Sequence, residues 1–195
     1  MIRNLNLASQ SITHEEIQNL PLFAYTGKVS VITEPAKLAK ALKDVEKAGT
    51  LGFDTETRPA FVKGQRYKTA LIQLASEEKV WLIRLQQTGF TPELLEFFQN
   101  DSVNKVGVGL RDDLIALQRL KHFHPKGFVE LTSLTRTAGV EVESVKKLTG
   151  LLLGYRISKS AQTSNWEAPT LTEKQIEYAS TDAWVCLQMY RKLFS

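Results

Sequence analysis

The run Leu51-Gly52-Phe53-Asp54-Thr55-Glu56-Thr57 constrains this chain more than any other segment. An apolar approach through Val45, Leu51 and Phe53 predicts a strand over residues 50–57, placed in the middle of a sheet. Side chains alternate along a strand, so Phe53 and Thr55 face one way and Asp54 and Glu56 the other. The two carboxylates then stand about 6–7 Å apart at their Cβ atoms, a gap that takes one divalent cation or two. An isolated Asp-x-Glu also fits an edge strand with a solvated acidic face. In a central strand the same acids need partners, because burying uncompensated charge is costly.

Two further carboxylates fall where apolar side chains are expected. A helix predicted over residues 110–121 places Asp113 among Leu110, Leu117 and Leu120, while Asp112 turns to the flank with Arg119. A charge on that stripe calls for a cation. In the long helix predicted over 171–195, Tyr178 and Asp182 are one turn apart on one face, continued by Val185 and Met189. The opposite stripe, from Ile176 through Ala179, Ala183 and Leu187, is apolar as well, so both sides are covered. A tyrosine there suits core packing. An aspartate does not.

The remaining pattern alternates strand and helix. A strand is expected at 28–32, then a helix at 35–48 capped by Thr33 and stopped by Gly49. A hairpin follows, 69–75 with 79–85, across Ser76-Glu77-Glu78. Next come a helix at 92–99, a strand at 105–108, and helices at 131–138 and 144–152 before an irregular stretch at 154–169. This is an α/β chain, a mixed sheet with helices on both faces. Residues 1–27 read as an extension with one short helix at 13–19, and 28–195 as a single domain.

A chain of 195 residues should bury about 70% of its unfolded surface, enough for a core without staples. The lone Cys186 excludes a disulfide framework and a zinc-finger cluster, and a reducing, cytoplasmic setting is the expectation. No uncharged apolar stretch approaches 18 residues and the N-terminus lacks a signal-peptide core, so no membrane association is expected.

Basic and acidic residues number 25 and 21, a small net excess whose distribution matters more. Residues 119–159 hold eight basic and three acidic side chains, and Arg58, Lys63, Arg66 and Lys68 form a run with no acid between its ends. Such patches are usually solvated surface. Two on one domain point to a polyanionic ligand. His14, His122 and His124 stand outside every motif and are expected on the surface.

Asp54-Thr55-Glu56, the run Val106-Gly107-Val108-Gly109-Leu110 leading to Asp113, and Tyr178-Ala179-Ser180-Thr181-Asp182 resemble the three motifs of the DEDD exonucleases. The tyrosine marks the DEDDy branch of ribonuclease D and the Werner-syndrome exonuclease. Ala70-Leu71-Ile72-Gln73-Leu74 and the segment from Lys159 to Asn165-Trp166-Glu167 agree with it, and the resemblance covers roughly residues 28–195. It implies a ribonuclease H-like sheet and a 3′–5′ exonuclease releasing nucleoside 5′-monophosphates by a two-metal mechanism. Four carboxylates without a cysteine or histidine cluster suit hard cations, Mg²⁺ or Mn²⁺. By resemblance, Asp54, Glu56 and Asp182 bind metal directly, Asp113 holds the second ion through water, and Tyr178 orients the attacking water. Substrate contacts would come from Thr55, Arg156, Lys159 and the loop at 58–68, whose Phe61 stacks on the terminal base or else anchors the loop. The implied partner is a single-stranded 3′ end of DNA or RNA, with no obligate protein partner. Trp166 is expected to be packing. Neither the accessory helical domain of ribonuclease D nor a helicase as in the full Werner-type protein is expected here, so the resemblance implies no substrate preference. Two alternatives remain: a nucleic-acid-binding module that keeps the fold with little catalysis, and an endonuclease of the ribonuclease H type, in which Tyr178 has no evident use.

Overall fold

The computed structural model describes residues 9–194. Thr13 opens the first helix, α1 (His14–Asn19), with a reciprocal cap. Its hydroxyl accepts from the Glu16 N–H at 3.2 Å, and the Glu16 carboxylate accepts from the Thr13 N–H at 2.7 Å. Then come β1 (Leu22–Phe23), β2 (Lys28–Ile32) and α2 (Pro35–Glu46). Thr33 does not cap α2. Pro35 occupies the first turn, where a backbone N–H would have no intrahelical acceptor in any case, and the cap position falls on Glu34, whose side chain makes no capping bond.

The acidic run forms β3 (Thr50–Thr57), followed by β4 (Thr69–Ala75), β5 (Lys79–Arg84), α3 (Leu85–Thr88), α4 (Pro92–Phe98) and β6 (Asn104–Gly107). Next are α5 (Leu110–Leu120), β7 (Phe128–Glu130), α6 (Leu131–Thr137), α7 (Val145–Leu153), β8 (Arg156–Ile157) and α8 (Glu173–Phe194). Three strands, β1, β7 and β8, are absent from the sequence reading. Each has only two or three residues, too few for alternation to register. The start of α8 falls at Glu173 because Thr172 and Gln175 form a reciprocal pair there. Gln175 N–H donates to the Thr172 hydroxyl at 3.3 Å, and Thr172 N–H to the Gln175 amide oxygen at 3.0 Å.

Six strands lie in the order β2-β5-β4-β3-β6-β7, with β4 antiparallel to both neighbours and the other pairs parallel. The expected mixed sheet with helices on both faces is present. Phe53, Ile72 and Leu74 meet α2 and α4 on one face, and Leu71, Ala75 and Leu82 meet α8 on the other. Among the described residues no helix is long and apolar enough to cross a membrane.

Residues 10–25 are strapped to this body. β1 runs parallel to β8, pairing Leu22 with Arg156 and Phe23 with Ile157. The Tyr25 N–H donates to the Thr181 hydroxyl at 3.0 Å, the Glu141 N–H to the Gln10 carbonyl at 3.0 Å, and Ile17 is 1% exposed. Phe23 stacks on Trp184 of α8 with ring centroids 5.1 Å apart.

Candidate active site

Gly52 sets the geometry. A Cβ on it would stand 1.8 Å from the Ala183 carbonyl oxygen, so only glycine lets α8 lie this close to β3. The contact brings Asp182, on the adjoining position of the helix, to the strand face that carries Asp54 and Glu56. One oxygen from each of these three carboxylates lies within 4.8 Å of the others. Tyr178 and Asp182 are both buried, as the helix phase requires, and the Tyr178 ring rests against Trp166 at 6.0 Å between centroids. Trp166 is fully buried, in keeping with a packing role.

Asp113 is held from the other side of β3. Its Oδ1 accepts from the Thr55 hydroxyl at 2.6 Å, so Thr55 faces Asp113 while its neighbours face Asp182. Asp113 is not one of the three whose oxygens converge. The start of its helix is fixed by Glu130, a residue without a sequence signal of its own. The Glu130 carboxylate accepts from the Gly109 and Leu110 N–H groups at 3.2 and 2.8 Å, and from the Thr132 N–H at 3.1 Å. One carboxylate therefore caps both α5 and α6.

Gln73, opposite Asp54 in the antiparallel register, is fully buried. With its amide oriented to satisfy its surroundings, its nitrogen donates to Asp54 Oδ2 at 3.2 Å and to the Ala179 carbonyl at 3.1 Å. It ties the first acid to the last helix. Its only sequence signal is a polar residue inside an otherwise apolar strand.

Charge crowding shows in the proton affinities. Burial first, then the neighbouring acids, hold Asp54 well above the usual carboxylate range. Burial and the charges of Asp182 and Asp113 push Glu56 to about 9. Burial raises Asp182 to about 7, against the opposing pull of the Tyr178 hydroxyl and Lys159, and raises Asp113 to about 6. The Tyr178 hydroxyl is driven upward by burial and by Asp182 and Glu56, so it stays protonated.

The acids open on a cavity of about 270 Å³ whose lining includes Asp54, Glu56, Lys146, Lys159, Tyr178 and Asp182. Of the residues expected to meet substrate, Thr55 and Lys159 line it and Arg156 does not: its Nε donates to the Leu20 carbonyl at 3.1 Å. Phe61 is 84% exposed and Val62 67%, so Phe61 is no buried anchor. Their loop is clasped at its base by Arg58, which lies over the Tyr67 ring at 4.7 Å and pairs with Glu167 at 3.5 Å. A larger groove, about 850 Å³, lies at the far end of β3, where Asp44 is paired with Lys47 and Glu77 with Arg191. All three histidines are exposed.

The donors fit a hard divalent cation. They are all oxygen, they converge, and Asp182 Oδ1 is enclosed without any hydrogen-bond partner, which a bound cation would supply.

A ribonuclease H-like sheet with convergent acids beside a buried tyrosine defines a nuclease domain. The profile of the 3′–5′ exonuclease family matches residues 29–195, and the chain belongs to that family. The bifunctional 3′–5′ exonuclease/ATP-dependent helicase WRN of Mus musculus is 32% identical over 185 residues, covering 90% of this chain and 13% of that protein. Ribonuclease D of Haemophilus influenzae is 28% identical over 183 residues, covering 92% of this chain and 43% of its own. The EXO domain of Aedes aegypti Nibbler superposes with a TM-score of 0.77 at 25% identity, covering 88% of this chain and 90% of that one. The chain thus spans less than half the length of both curated relatives.

Proposed function

We propose that this protein is a metal-dependent 3′–5′ exonuclease that releases nucleoside 5′-monophosphates from single-stranded 3′ ends of DNA or RNA. The observation that carries the reading is the convergence of Asp54, Glu56 and Asp182 one helical turn from Tyr178, in one cavity. Asp54, Glu56 and Asp182 would hold divalent cations, Mg²⁺ or Mn²⁺, and Asp113 would serve a second ion through water. The chemistry such cations would supply there is neutralisation of the scissile phosphate and of the charge that develops in an in-line displacement.

The chain's own groups do the rest. Tyr178 keeps its proton, so its hydroxyl donates a hydrogen bond and orients the attacking water rather than removing a proton from it. Gln73 holds one oxygen of Asp54 and leaves the other free to face the cavity. Lys159 lines the same cavity and meets the backbone charge of the strand, while exposed Phe61, beside Lys63 and Arg66, stacks on a base. Arg58 serves as the clasp of that loop.

Purified protein with Mn²⁺ on end-labelled single-stranded DNA and RNA tests the reading. Stepwise release of mononucleotides from the 3′ end is expected, and Asp54→Ala should nearly abolish it. Binding without release by wild-type protein would mark a non-catalytic module, and equal cleavage of circular strands an endonuclease.

A further inference from the structure

One wall of the catalytic cavity is made by the first turn of α7, a helix of nine residues. Ser144 caps it: its Oγ accepts from the Lys147 N–H at 3.3 Å, and its carbonyl accepts from the Leu148 N–H at 2.9 Å. The N–H groups of Val145 and Lys146 occupy the first two helical positions, where no intrahelical carbonyl is available. Both residues line the cavity together with Asp54, Glu56 and Asp182. The positive end of a helix is thereby turned toward a space whose other wall is anionic.

The Lys146 side chain adds to this. It is half-buried, lines the cavity, and makes no ion pair or hydrogen bond among the described residues. The nearest acid in the chain, Glu143 just before the cap, is engaged by Arg136. Its neighbour Lys147 is exposed and stands outside the cavity. Across the same space, Asp182 is only 6% exposed and keeps Oδ1 without a partner. An unpaired cation and the first N–H groups of a helix on one wall, with a buried carboxylate that keeps one oxygen unpartnered on the other, suit a ligand carrying an anionic oxygen and its counter-cation together.

We infer that Lys146, with the N–H groups of Val145 and Lys146, forms a phosphate subsite. It takes a phosphodiester of the nucleic-acid strand whose 3′ end lies at the carboxylates. The subsite rests on the exonuclease reading for the identity of its ligand. It differs from a diffuse basic surface in being specific to one of two adjacent lysines.

That difference supplies the test. Lys146→Met and Lys147→Met remove the same charge one residue apart. Binding of a fluorescein-labelled single-stranded oligonucleotide is measured by anisotropy between 50 and 200 mM salt (about the range over which phosphate contacts are resolved), with mononucleotide release followed in parallel. Lys146→Met should weaken binding about tenfold at the low-salt end and flatten the log–log salt slope by about one, with the kinetic loss falling mainly on KM. Lys147→Met should stay within about twofold of wild type in both readouts, as expected for a solvated surface charge. Equal losses in the two variants would reduce the effect to overall charge and overturn the subsite. If wild-type protein releases no nucleotide while the Lys146-specific loss of binding persists, the exonuclease reading falls and the subsite stands.

Discussion

The Ala183 carbonyl oxygen occupies the place where a β-carbon on Gly52 would stand, 1.8 Å away. Through this one approach β3 and α8 are held at the separation that lets Asp182 reach Asp54 and Glu56. Gly52→Ala should therefore push the helix outward. The expected cost is about 1–3 kcal/mol of stability, typical of overpacking against backbone that cannot move aside. A higher Mn²⁺ requirement should accompany it, since the acids separate. Thermal melting with a Mn²⁺ titration of turnover checks both, and a wild-type melting temperature would contradict the geometry.

Tyr178→Phe keeps the ring packed on Trp166 and deletes only the hydroxyl. If the hydroxyl orients the attacking water, turnover should fall by about 10²–10³, with substrate affinity nearly unchanged. The melting temperature should stay close to wild type because no cavity forms. Turnover at the wild-type level would leave the tyrosine as packing alone.

Metal-free stability should fall as pH rises, a dependence that bound metal should offset. Asp113, Asp182 and Glu56 are raised to about 6, 7 and 9, and Asp54 moves the same way. Above about pH 4 the unfolded chain has lost these protons while the folded, metal-free protein still holds them. The unfolded state then binds fewer protons, so stability falls as pH climbs through those values. Lys105, pushed down to about 8 by burial, works in the opposite direction above that pH. Melting curves between pH 5 and 9, with chelator and with Mg²⁺, isolate the acids because Lys105 contributes to both sets. The Mg²⁺-induced gain should grow with pH. A gain that is flat across the range would show that the acids do not share a cation.

Glu130→Ala should loosen two helix starts at once. The N–H groups of Gly109, Leu110 and Thr132 lose their acceptor, at an expected cost of about 1–3 kcal/mol. Asp113 lies in the first turn of α5, so turnover should fall along with stability. Hydrogen exchange at the Leu110 and Thr132 amides reads the loss directly, and unchanged protection at both would exclude the shared cap.

What the sequence makes legible follows from periodicity. Alternation along β3 separates Asp54 and Glu56 from Phe53 and Thr55, and the 3.6-residue repeat aligns Tyr178 with Asp182. The same repeat puts Asp113 on an apolar stripe. These relations are local, and the structure shows each of them. What escapes depends on contacts between distant segments. Glu130 reaches back to a helix twenty residues earlier. Gln73 gains meaning only from the register that sets it against Asp54. Lys146 resembles Lys147 until the fold turns one of them into the cavity. Arg156 stands in a basic tract, and that its Nε donates to the Leu20 carbonyl follows only from the pairing of β8 with a strand near the other end of the chain.

That pairing bears on how the molecule can be dissected. The span shared with the exonuclease family begins at residue 29, so a fragment trimmed to it would omit β1. Arg156 would lose the Pro21 and Leu20 carbonyls, and Ile157 its strand partner, immediately before Ser158 and Lys159 enter the cavity wall. A shortened fragment would keep every acid and still present a frayed rim to its substrate. Low activity in such a fragment would report the missing strap, and rates meant to represent this protein belong to the form that retains it.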